Sequence, residues 1–203
     1  MMPRTPTLGL CIAALLALYA FPAFGHTGGG ALPDGLISGF LHPLTGLDHL
    51  VAMVAVGLWG ARLGAPAIWV LPITFPLIMA LGGLIGISGV ELPLPEVVIA
   101  LSAIVLGAAV SLRVRWPVTA AAALVAAFAI FHGYAHGREM PEAASPEGFA
   151  IGFVTATGLL HLAGILIGTL NRLPWGALVV RGLGLGIACL GVVFLFGALS
   201  IQG

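Results

Sequence analysis

The sequence predicts an all-α integral membrane protein: six transmembrane helices after a cleavable N-terminal signal peptide, with both mature termini in the periplasm. Three observations predict it. The chain is 60% hydrophobic and only 7% charged over 203 residues, with a mean hydropathy of +1.17. Its apolar residues fall into six stretches after the leader, most near the roughly 20 residues that a spanning helix needs. Its 30 glycines suit helices whose backbones approach closely in a bilayer. A soluble fold would have to bury all this apolar surface in a small globule, which surface-to-volume scaling disfavours.

Residues 1–25 read as a signal peptide. Arg4 supplies the n-region charge, an apolar run follows from Leu8 to Ala20, and Ala23-Phe24-Gly25 carries small residues at the cleavage positions. That run is too short for a comfortable span. Cleavage would leave His26 at the new N-terminus, where amine and imidazole together could chelate a metal. A lone histidine before Gly28-Gly29-Gly30 is weaker evidence for that than for a polar residue ahead of a flexible segment. Cleavage would also leave Cys189 as the single cysteine, which excludes an intramolecular disulfide and a thiolate cluster.

Residues 26–203 form one membrane domain. The apolar stretches cover 36–61, 66–88, 95–112, 116–135, 148–170 and 177–200. Punctuation separates them: Gly64-Ala65-Pro66, Leu92-Pro93-Leu94-Pro95, Trp116-Pro117, Pro141 to Pro146 and Leu173-Pro174. Trp59, Trp69, Trp116 and Trp175 fall near predicted ends, as interfacial aromatics do. With the mature N-terminus outside, Arg62, Arg113, Arg115, Arg172 and Arg181 all fall on the cytoplasmic side, and only Arg138 falls outside. Asp34, Glu91, Glu96, Glu142 and Glu147 fall outside, and such an acidic face attracts cations. The charges balance to zero, so no basic face offers itself to nucleic acid.

Against this apolar background two clusters of ionisable residues stand out. Groups of this kind are costly in a bilayer and usually functional where they persist. The first is His42-Pro43-Leu44-Thr45-Gly46-Leu47-Asp48-His49. On an unbroken helix His42 and His49 would share a face but lie about 10 Å apart along the axis. They would then not bind one ion unaided, although Pro43 and Gly46 make an ideal helix doubtful and a break could bring them together. Asp48 can coordinate directly or orient the neighbouring imidazole. The second cluster is Phe131-His132-Gly133-Tyr134-Ala135-His136-Gly137-Arg138-Glu139. His132 and His136 are one turn apart, about 6 Å, a spacing found in helical metal motifs. Glu139 follows on a similar face, and Gly133 and Gly137 leave space on the adjoining surface. His161, mid-span and without an adjacent acid, fits equally a pathway ligand and a histidine bonded to a neighbouring helix.

Imidazole with carboxylate suits borderline divalent ions: nickel, cobalt, zinc, copper or ferrous iron. With no thiolate and few methionines nearby, a soft copper(I) path is disfavoured.

At these residues the sequence resembles the HupE/UreJ family of nickel and cobalt permeases. The resemblance rests on His42-Pro43-Leu44-Thr45-Gly46-Leu47-Asp48-His49-Leu50 and on Phe131 to Glu139, together with the leader, a histidine at the mature N-terminus and six spans. It implies that His42, Asp48, His49, His132, His136 and Glu139 serve metal uptake. It further implies an inner-membrane permease with its metal site facing the periplasm, carrying Ni2+ or Co2+ toward hydrogenase or urease maturation, with zinc still open. No catalytic residue and no permanent cofactor are expected. The expected partners are the metal ion and the lipid bilayer, and a homo-oligomer is compatible with the sequence. Two other readings stand beside the permease: an intramembrane metal-dependent hydrolase, and a metal-binding sensor or assembly protein without flux.

Overall fold

The computed structural model describes residues 32–139 and 145–201, and the regular elements among them are all helical. The proposed signal peptide and His26 lie outside the described residues. The helices are α1 (Leu32–Thr45), α2 (Leu47–Leu63), α3 (Ala67–Ile87), α4 (Pro95–Ser111), α5 (Val118–Glu139), α6 (Pro146–Gly168) and α7 (Gly176–Ile201). A short 3-10 turn, Thr169–Arg172, extends α6.

Each predicted apolar stretch is helical, with one correction. The first is not a single helix: α1 and α2 meet at a bend of 81°. The sequence explains the break. Pro43 has no N–H for the turn before it, and Gly46 leaves the helical region for an extended conformation (φ −83°, ψ 99°). The His42 carbonyl, stranded at this helix end, is covered by the Thr45 hydroxyl at 2.9 Å and the Gly46 N–H at 3.3 Å.

Among the described residues, four helical segments are long and apolar enough to cross a membrane, and the bent α1–α2 pair makes a fifth if the two are taken as one span. With 17 residues, α4 reaches about 25 Å, short of a hydrocarbon core of about 30 Å. The outer surface fits a lipid environment. Leu77, Leu84, Leu178 and Phe196 are exposed, as lipid-facing side chains of a multi-pass protein are.

Packing makes α2 the central element, with Val51 to Gly60 buried apart from Val54. It contacts α3, α4 and α6. Helix α6 is backed by α1 along its first half and by α2 along its second. Gly39 of α1 faces Phe149, and Gly57 of α2 faces His161. Helices α3 and α5 meet backbone to backbone: a Cβ on Gly133 or Gly137 would overlap the carbonyl oxygen of Met79 or Gly83. These glycines therefore do not leave the open space that the sequence led us to expect. The space is filled by α3, and the closeness is the small-residue packing that membrane helices use.

Trp59 corrects a second expectation. It is fully buried, donates from its indole nitrogen to the Val114 carbonyl (3.2 Å) and packs edge-on against Trp116. Trp69, at 64% exposure, Trp116 and Trp175 do sit at the surface. Arg62 lies within electrostatic reach of Arg113 and Arg115, which groups arginines at the end where α2 and α4 finish. Both ligand clusters lie at the opposite end, where α2 begins and α5 finishes.

Candidate metal centre

The structure brings the two clusters into one site. The first helix break delivers His42 and His49 from either side of Gly46, and α5 delivers His132, His136 and Glu139 from its last two turns. This helix continues to Glu139, four residues beyond the predicted stretch, so the acid stays in helical register with His136.

The tightest group is His42, His136 and Glu139. Each offers a ligand atom, and these atoms all lie within 4.8 Å of one another. His42 Nε2 is 3.3 Å from Glu139 Oε2. The rings continue inward from there. His136 lies 4.8 Å from His42 and 4.2 Å from His49 between ring centroids, and His49 lies 4.9 Å from His132. His136 thus touches both histidines of the broken span. The separation an unbroken helix would impose is removed by the bend.

Hydrogen bonding fixes the tautomers. His49 Nδ1 lies 2.8 Å from Asp48 Oδ1. The carboxylate only accepts, so Nδ1 carries the proton and Nε2 keeps its lone pair. Of the two roles open to Asp48, the geometry favours orienting this imidazole. His132 Nδ1 lies 3.1 Å from the Phe128 carbonyl, four residues back, and by the same logic its Nε2 keeps a lone pair. Both Nε2 atoms, and both ring nitrogens of His136, are buried without a hydrogen-bond partner. Unpaired buried polar atoms are rare and call for an explanation. A cation among these lone pairs supplies one.

Gly46 belongs to this arrangement too. A Cβ there would lie 3.3 Å from Asp48 Oδ1 and 3.4 Å from His49 Nδ1, so the break sits directly against the carboxylate–imidazole pair.

Two contributors escaped the sequence reading. Glu96, in the first turn of α4, lies within electrostatic reach of Asp48, His49 and Glu139. Its position at the outer start of a span was visible, but its neighbours were not. Phe75 of α3 lies edge-on between His132 (5.3 Å) and His161 (5.4 Å). Nothing in sequence distinguishes it from other buried aromatics. His161 is therefore not part of the upper group: it is buried beyond the Phe75 ring, with neither nitrogen hydrogen-bonded.

Comparison with known proteins agrees with the motifs. No solved structure matches the chain. The chain is 41% identical to "Protein HupE" of Rhizobium leguminosarum bv. viciae over 186 residues, which cover 92% of this chain and 97% of that protein. The profile of the family described as "HupE / UreJ protein" matches residues 13–194. With its paired motifs inside that match, the chain belongs to the HupE / UreJ protein family.

Proposed function

We propose that the protein is an inner-membrane permease for a divalent transition metal, Ni2+ foremost and Co2+ next, which it captures at the periplasmic face. In this reading the chain crosses the membrane six times: α1–α2 make one span, α4 is a short one, and a leader is removed. The arginines at the far end support that orientation by the positive-inside rule. The name of the Rhizobium relative and the family resemblance support the metal-uptake role.

One observation carries the proposal. Four imidazoles and a carboxylate from two distant segments converge at the end opposite Arg62, Arg113 and Arg115, with several lone pairs buried and unpaired. A hydrated ion arriving there exchanges water for imidazole and carboxylate. Before it arrives, Glu139 pairs with His42. An entering ion would break that contact and take the carboxylate and the neutral imidazole as ligands. Nitrogen-rich coordination of this kind suits nickel and cobalt better than magnesium or calcium.

The test is uptake of radioactive nickel by cells, with the amount of protein in the membrane measured in parallel. His42→Ala and His132→Ala should each reduce uptake to background at normal abundance. Wild-type uptake by both variants would overturn the proposal.

A further inference from the structure

We propose that His161 and Thr157 of α6, with the Pro72 carbonyl of α3, form a second and inner cation site, separated from the capture site by the Phe75 ring. The purpose of this site rests on the permease reading; its geometry does not.

Three observations on three different groups point to it. His161 is 1% exposed, and neither of its nitrogens has a hydrogen-bond partner. Thr157 is fully buried, and its hydroxyl is equally unpaired. Four residues apart on one helix, the two share a face, about 6 Å apart along the axis. The third group is a carbonyl. Pro76 lies inside α3 and has no N–H, so the carbonyl four residues back, that of Pro72, loses its helical partner. That carbonyl lies beside the His161 ring, at a geometry that leaves neither ring nitrogen a well-formed hydrogen bond. Unsatisfied polar groups cost several kcal/mol each in a bilayer interior. Two such side chains, one turn apart on a buried helix face with a freed carbonyl beside one of them, call for an explanation, and an occupant supplies it.

Depth places this site on the way in. His161 follows Pro146 by 15 positions, or about 22 Å along α6, while Glu139 and His42 lie at the mouth. The donors also differ in kind. The capture site carries carboxylates from Asp48 and Glu139, whereas the inner site offers imidazole nitrogen, hydroxyl and carbonyl, all neutral. A divalent ion is held less tightly by neutral donors, and conduction requires sites weak enough to release. The inner site is therefore a relay, and the capture site sets affinity.

Equilibrium dialysis of the full-length protein in nanodiscs, with radioactive Ni2+ as the probe, tests this beside flux in proteoliposomes. The wild type should bind two equivalents, the second more weakly. His161→Ala should lose the weak equivalent, keep the strong one, and slow flux at least tenfold. Thr157→Val, nearly isosteric, should weaken the same equivalent and serves as the variant should His161→Ala fail to insert. His42→Ala should lose the strong equivalent instead. A wild type that binds one equivalent, or His161→Ala or Thr157→Val variants with wild-type binding, would overturn the inner site. The last result is also expected if a water satisfies these atoms. Two equivalents without flux would sink the permease and leave the inner site standing. Flux with one equivalent would do the reverse.

Discussion

The two ligand-bearing segments reach the same point by opposite means. In α5 the helix stays regular, and His132 and His136 come together because four residues make one turn. In the first span the helix breaks, and His42 and His49 both reach His136 across the 81° bend at Gly46. A regular helix thus places ligands without any special backbone feature, but only at the spacings it permits. A broken helix can use a seven-residue spacing, at the cost of a less secured backbone. Substitutions in α5 should therefore damage either a ligand or the packing, whereas substitutions around Gly46 should damage alignment.

The largest effect is expected at His136, whose ring touches both His42 and His49. His136→Ala should abolish nickel uptake while leaving membrane abundance unchanged. If uptake survives, the two segments do not meet in one site. Next comes Gly133→Leu, which drives a side chain into the Met79 carbonyl. Its loss should be of the protein itself, read as little or no accumulation in the membrane. Normal abundance would show that the α3–α5 contact is looser than described.

Smaller effects belong to the broken span. Asp48→Asn keeps the size but weakens the hold on His49, and should weaken metal binding by about 10- to 100-fold, measured by dialysis. An unchanged affinity would remove Asp48 from the site. Gly46→Ala is smaller still. Its φ of −83° is open to alanine, and the added methyl would press on Asp48 by only a few tenths of an ångström. Uptake should fall partly, at full abundance, and a complete loss would mean the hinge needs glycine for more than space. Acidification compares the segments in another way. Protons compete for the imidazole lone pairs, so uptake should decline on acidification. A profile that stays flat down to acid denaturation would oppose imidazole capture.

How much of this was legible in sequence follows from the same contrast. The ligands were legible, because His, Asp and Glu in an apolar chain are few and costly. The His132–His136 pairing was legible, because it is local. That His42 and His49 reach the same partner, His136, was only half legible: Pro43 and Gly46 marked a weak point, but no local rule sets a bend angle. The packing roles of Gly133 and Gly137 were not legible, since the backbone they touch lies some fifty residues away in sequence. The burial of Trp59 was hidden for the same reason: the tertiary partner, Val114, decides it.

The glycine contact between α3 and α5 has a mechanical consequence. Backbones that touch without intervening side chains have nothing to repack, so the two helices behave as one stiff plate carrying His132 and His136. The same contact recurs between α6 and both halves of the broken span, where a Cβ on Gly39 or Gly152 would overlap the carbonyl oxygen of Phe149 or Leu36, and one on Gly57 or Gly164 that of His161 or Val54. The mouth is then the seam between two stiff bodies: His42 and His49 ride on one, while His132, His136 and Glu139 ride on the other, and opening means that the seam parts. Hydrogen–deuterium exchange should report similarly slow exchange in 36–40, 79–86 and 130–137, and distinctly faster exchange in 36–40 would mean that α1 moves apart from α6.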